Sequence, residues 1–228
     1  MYEDVATQNR FLGCNFRCSY CVPSFQATVR NFARLRGSRC KGCLNYTPHE
    51  HPEWRTFPSK PIIFLFGDGD ISFARPPFVR ETIQIAITHL DRCPHKTLYL
   101  QSKNPVCFEQ YLPDLRPIEQ SVVLLTTLET NRDAGYEKIS KAPVPSQRFK
   151  DFLHLRWPRK IVTIEPVMQF DLDPFVSWIK DIGPEAVYLG YNSRPQQVQL
   201  PSPMQSEFWG LYEALRRITP VRLKRPYP

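Results

Sequence analysis

No apolar run in these 228 residues is long enough to cross a bilayer, so no transmembrane helix is expected. The start, Met1-Tyr2-Glu3-Asp4, lacks the basic opening and apolar stretch of a signal peptide. Reducing cytoplasm is therefore the expected compartment, where seven cysteines read as metal ligands or free thiols rather than disulfides. There is no internal repeat, coiled-coil pattern or low-complexity tract. Nor is there a dense block of basic residues, although the formal net charge is +8. The basic residues gather in three interspersed segments, Arg30 to Lys41, Arg148 to Lys160 and Arg216 to Arg225. Such an excess favours polyanionic partners, nucleic acid above all.

What is present has a globular balance, with 42% apolar and 23% charged residues. The length suits one domain, taken here as residues 1–228, with an insertion at 37–58. The 23 prolines, roughly twice the usual share, fall between the apolar segments and mark their boundaries. Short apolar runs alternate with amphipathic ones. Pro61–Gly67, Thr97–Ser102, Ser121–Leu128, Ile161–Ile164, Ala186–Gly190 and Val221–Leu223 read as strands. Helical spacing recurs over Ser24–Arg36, Phe78–Leu90, Gln147–Arg156, Pro174–Ile182 and Met204–Ile218, and a short helix is expected near Val106–Tyr111. About six strand–helix units are too few for a closed eight-fold barrel. The expected fold is α/β, a partial (β/α)6 TIM-like barrel of mostly parallel strands. The rival is an open doubly wound sheet.

The most informative residues are Cys14, Cys18 and Cys21, in Gly13-Cys14-Asn15-Phe16-Arg17-Cys18-Ser19-Tyr20-Cys21. Three thiolates at this spacing can hold three irons of a [4Fe–4S] cluster and leave the fourth iron open to a small molecule. The alternatives are a zinc site short of one ligand, or buried thiols; the polar residues between the cysteines argue against the latter.

This run resembles the signature of the radical S-adenosylmethionine (radical SAM) enzymes, including the aromatic Tyr20 before the last cysteine. The resemblance implies a [4Fe–4S] cluster on Cys14, Cys18 and Cys21, with S-adenosylmethionine chelated at the open iron. One electron, from a donor such as flavodoxin or ferredoxin, would cleave it to methionine and a 5′-deoxyadenosyl radical. It also implies a three-quarter barrel, in agreement with the strand–helix alternation.

The polar residues after successive apolar strands are the remaining candidates, because chemistry in parallel α/β folds collects at that end. Asp68 and Asp70 follow the first strand, where the family often carries a Gly-Gly-Glu-like segment; Gly67-Asp68-Gly69 matches it only loosely. Lys103 follows the second and suits a carboxylate or an anionic substrate. Glu129, Asn131 and Arg132 follow the third, with ribose hydroxyls and a carboxylate as the expected ligands. Glu165 follows the fourth, and Gly190 to Arg194 the fifth. These strings together resemble a phage- and bacterium-associated branch of the family, the Gp37/Gp68-like proteins, distantly similar to spore photoproduct lyase. The substrate stays open, with nucleic acid or nucleotide the first expectation, and a partner protein is a candidate to complete the site. No residue is assigned a catalytic role.

Cys40-Lys41-Gly42-Cys43, then His49 and His51, forms a second constellation. Two thiolates and two imidazoles suit tetrahedral zinc. Zinc ranks first, an auxiliary cluster second and no metal third. Cys93 and Cys107 read as small core residues. Two rivals to a radical enzyme follow: a non-catalytic zinc protein that binds nucleic acid, and an iron–sulfur redox sensor.

Overall fold

Seven short strands in one parallel sheet carry the fold, seen in a computed structural model that describes residues 4–192 and 194–224. Residues 1–3, 193 and 225–228 lie outside the described residues, and with them Ser193 and Arg225 of the expected segments. In chain order the strands are β1 (Val5–Gln8), β2 (Phe11–Leu12), β3 (His49–Glu50), β4 (Ile62–Leu65), β5 (Thr97–Gln101), β6 (Val122–Thr127), β7 (Lys160–Ile164), β8 (Ala186–Gly190) and β9 (Val221–Lys224). The large sheet runs β1-β4-β5-β6-β7-β8-β9, every pair parallel, and β2 and β3 form a separate antiparallel pair. Its order never reverses, so there is no switch point and the doubly wound rival falls. The sheet curls into a partial barrel.

The helices are α1 (Ala27–Leu35), α2 (Lys41–Asn45), α3 (Pro76–Arg92), α4 (Leu112–Leu115), α5 (Pro145–His154), α6 (Leu172–Ile182) and α7 (Gln205–Leu215). Proline at the first turn starts α3 and α5, where its missing N–H costs nothing. Gly183 ends α6 at φ 59°, a left-handed position that glycine adopts without strain. The stretch expected as a helix near Val106–Tyr111 forms 3-10 turns over Pro105–Tyr111, leading into α4. Cys107 is buried in the core, whereas Cys93 is half-buried and caps α3.

Strand periodicity splits the sheet into two faces. Ile63, Leu65, Leu98, Leu100, Val122, Leu124, Val162, Ile164, Val187 and Leu189 join the helices in the main core. Phe64, Tyr99, Val123, Leu125, Ile161, Ala186 and Tyr188 form a second cluster on the concave side. Both faces are covered, which is why the strands are apolar runs rather than alternating ones. Toward their C-terminal ends the concave residues turn polar. Gln101 donates to Thr127 Oγ1 at 2.9 Å, and Thr127 and Thr163 lie 2.8 Å apart through their hydroxyls.

The seventh strand, β1, is not among the six expected. Thr7 and Gln8 break its apolar run, and it forms because Val5 to Gln8 pairs in register with Ile62 to Leu65.

Candidate functional site

The cysteine loop is seated on the sheet by backbone bonds. Gly13 bridges to Gly69, its N–H donating to Asp68 O at 3.1 Å and its carbonyl accepting from Asp70 N at 3.2 Å. Gly13 has φ 92°, and a Cβ there would lie 2.4 Å from the Thr47 backbone, so no larger residue fits. Arg17 takes φ 50° in the turn between Cys14 and Cys18. This docking sets the loop against the C-terminal end of β4.

All three cysteines line one cavity of about 590 Å³ at the C-terminal ends of the strands. Its walls include Tyr46, Phe64 and Phe66, and its polar groups include Asp68, Asp70, Gln101, Lys103, Glu165 and Lys224. Of the predicted cofactor residues, Asp68, Asp70, Lys103 and Glu165 are thus brought to the same place as Cys14, Cys18 and Cys21. Burial pushes the Cys14 thiol far above its usual range and Cys21 up to about 12. Cys18 Sγ lies 3.1 Å from Ser140 Oγ and 3.4 Å from Lys103 Nζ.

The acids divide by environment. Burial raises Asp68 to about 6, against an opposing pull from Arg36 and a hydrogen bond from Asn9. Asp70 is also raised by burial, although Ser72, the Lys103 N–H and Ser102 all donate to it. Glu165 pairs with Lys224 across the concave face.

Glu129 does not line the cavity; it is fully buried behind it. It accepts from Lys103, from Tyr20, from Arg148 at 2.8 Å and from Tyr136 at 3.1 Å. Burial by itself would raise the carboxyl, but the charges of Arg148 and Lys103 prevail and hold it at about 2. With its oxygens so engaged, Glu129 orders Lys103 and Tyr20, which do line the cavity. Asn131 and Arg132 are placed elsewhere. Asn131 bonds the Asp171 backbone, and Arg132 pairs with the Asp171 carboxylate at 2.6 Å. Neither lines the cavity.

Cys40, Cys43, His49 and His51 do converge. Their ligand atoms lie within 4.8 Å of one another, a group that could hold a metal ion such as zinc. Cys43 Sγ is 3.2 Å from each imidazole Nε2, and the two Nε2 atoms are 2.9 Å apart. The other ring nitrogens face acceptors: His49 Nδ1 meets Thr47 O at 2.7 Å and His51 Nδ1 meets Glu53 Oε1 at 2.9 Å. Such partners fix the tautomer with Nε2 free for a metal. His51 also stacks on Trp54 at 3.7 Å. Gly42 is required at its position, since a Cβ would fall 2.5 Å from the His49 ring.

Several side chains at this site carried no sequence signal. Arg148 and Tyr136 lie on or beside turns of α5 and the preceding loop, where nothing marks them as buried partners of Glu129. Lys224 was findable. In Val221-Arg222-Leu223-Lys224 the apolar and basic residues alternate, so both basic side chains must share the concave face. The chain matches no protein-family model and no curated protein.

Proposed function

We propose that the protein is a radical S-adenosylmethionine enzyme, with Cys14, Cys18 and Cys21 holding a [4Fe–4S] cluster at the cavity. The observation that carries this reading is the convergence of three thiols and the strand-end residues on one cavity. The residues suit the group. Cys14, Cys18 and Cys21 offer three thiols at Cys-x3-Cys-x2-Cys spacing on one cavity wall, a donor set that can hold three irons of a cluster and is one ligand short of a closed zinc site. Ser140 and Lys103 supply hydrogen bonds to the Cys18 sulfur, the kind of contact that tunes a cluster.

Bound there, the cluster would supply an open iron for the amino and carboxylate groups of S-adenosylmethionine and one electron to break its sulfonium C–S bond, releasing methionine and a 5′-deoxyadenosyl radical that would abstract hydrogen from a substrate. The chain's own residues prepare the space. Asp68, made basic by burial, gains from a cation beside it and suits the ammonium of the methionine moiety. Lys103 keeps its charge because Cys18 and Glu129 offset its burial. Tyr46, Phe64 and Phe66 make the walls apolar, which limits water near a reactive intermediate. Zinc at Cys40, Cys43, His49 and His51 would be structural, since four protein donors leave no open position.

The test is anaerobic reconstitution with iron and sulfide, then dithionite and S-adenosylmethionine, with 5′-deoxyadenosine as readout. The wild-type protein should form it and Cys18→Ala should not. A loaded cluster that yields none turns the reading toward a redox sensor. A colourless protein that takes up only zinc leaves the zinc-dependent nucleic-acid-binding alternative.

A further inference from the structure

The net charge is not spread over the chain. Seven basic residues and no acidic one fall between Val5 and His49, so that stretch accounts for nearly all of the +8. The three basic segments also differ in what they do. Arg148 is buried on Glu129, Arg159 pairs with Glu185, and Arg216 pairs with Glu213. Elsewhere on the surface Arg55, Arg75, Arg80 and Arg132 each have an acid. By contrast, Arg17, Arg34, Arg36, Arg39 and Lys41 are exposed and, among the described residues, form no ion pair.

The same segment exposes rings. Phe25 is 42% and Phe32 55% exposed, and Leu35 on the same helix is 83% exposed. The Arg36 guanidinium lies 6.0 Å from the Phe32 ring centre. This surface adjoins the cavity: Ser24, Phe25 and Thr28 are lining residues, and Phe25 meets the lining residue Tyr46 edge-on. Across the mouth Arg194 donates to Pro23 O at 3.4 Å, adding a cation to the rim.

We infer that the face formed by α1 and its flanking turns, from Val22 to Lys41, binds single-stranded nucleic acid and leads one nucleotide into the cavity. Unpaired guanidinium groups match phosphates, and exposed ring faces accept bases by stacking whatever the sequence. Four exposed cations, Arg34, Arg36, Arg39 and Lys41, lie among the exposed side chains of Val22, Phe25, Phe32 and Leu35, an interleaving of charge and rings that suits phosphates and bases together. A single strand is favoured because its unstacked bases can lie on the exposed rings of Phe25 and Phe32, whereas a duplex keeps its base faces covered. Binding on this face stands on charge and exposure alone; delivery to the cavity rests on the function proposed above.

The experiment is fluorescence anisotropy of reconstituted full-length protein with a short labelled oligonucleotide of mixed sequence, single-stranded or annealed to its complement. R34E/R36E and F32A are compared with wild type, with circular dichroism and iron content confirming that each is folded and loaded. The single strand should bind more tightly than the duplex and weaken steeply from ~50 to ~200 mM salt. R34E/R36E should cost tenfold or more, and F32A roughly tenfold. Unchanged binding by both variants would overturn the inference, as would equal affinity for duplex, or binding to phosphatidylserine vesicles in place of the oligonucleotide. The two proposals fail separately. Binding without 5′-deoxyadenosine under any oligonucleotide removes the radical reading alone, and 5′-deoxyadenosine without oligonucleotide binding removes this surface alone.

Discussion

Glu129 sits where a carboxylate is most expensive and is kept there by its donors. Arg148 and Glu129 are both wholly buried, and Glu129 is the acid that Arg148 pairs with, so removing Glu129 leaves a buried guanidinium without a counter-charge. Breaking such a pair costs about 3–5 kcal/mol. The pH dependence follows from the held pKa. Folded Glu129 is at about 2 against an ordinary 4.5, so its contribution is complete above pH 4.5 and is lost as pH falls toward 2. Urea unfolding should show wild-type stability declining through that window. Glu129→Gln should be less stable at pH 7 and lose that part of the slope; a variant that keeps both the stability and the slope would contradict the role given to the pair. Glu129 itself was legible as an acid at a strand end. Its task was not, because its partners Arg148 and Tyr136 come from a helix and a loop whose sequence shows only ordinary amphipathic spacing.

Among the elements, the small β2–β3 pair has an influence beyond its length. Leu12 pairs with His49 and Phe11 with Glu50, and His51 N–H donates to Arg10 O at 2.6 Å. The strand that carries one metal donor, His49, and leads into another, His51, is therefore the one that lies beside the chain entering the cysteine loop. The Thr47 backbone closes over Gly13 from the same side. A metal at Cys40, Cys43, His49 and His51 would brace the loop from outside, as a staple for a segment with a small core of Leu12, Val29 and Tyr46. The protein as purified should carry one zinc per chain by mass spectrometry of metals. Cys18→Ala should keep it, whereas Cys43→Ala should lose it and become open to proteolysis between Gly37 and Pro58. Equal zinc in the two variants, or equal protection, would remove the staple from the account. The four donor types were plain in the sequence. That His49 and His51, only one residue apart, both turn Nε2 inward was decided by the Thr47 and Glu53 acceptors.

For the whole molecule, the winding of the sheet is what makes a site. In a singly wound parallel sheet every strand ends on the same rim, so residues far apart in the chain, from Cys14 to Lys224, line one cavity. A ligand that binds only this assembled rim must stabilise the entire fold. At ~100 times its Kd the gain is about 2.7 kcal/mol. For a domain of this size that raises Tm by roughly 5–10 °C. S-adenosylmethionine added to the reconstituted protein should give such a shift, and Cys18→Ala should show little. An unshifted melting curve with a fully loaded cluster would mean that the cavity is built for something else.

By itself the sequence determined the local chemistry and the class of fold. Cysteine spacing is set by covalent reach along the chain, and apolar runs that alternate with 3.6-residue periodicity need no partner to be recognised. It therefore specified Cys14, Cys18 and Cys21, the Cys40 to His51 donors and a partial barrel. Only the tertiary structure decided how these are used. It added β1, a strand with too little apolar signal to stand without β4 beside it. It turned Asn131 and Arg132 to Asp171 on the surface, and it placed Glu129 behind the cavity rather than in it. It also separated the basic segment around α1, which forms no ion pair among the described residues, from the two in which Arg148, Arg159 and Arg216 are paired with acids. Those outcomes depend on distances between residues remote in sequence, and such distances are fixed by the curl of the sheet and the burial of charge, not by neighbours along the chain.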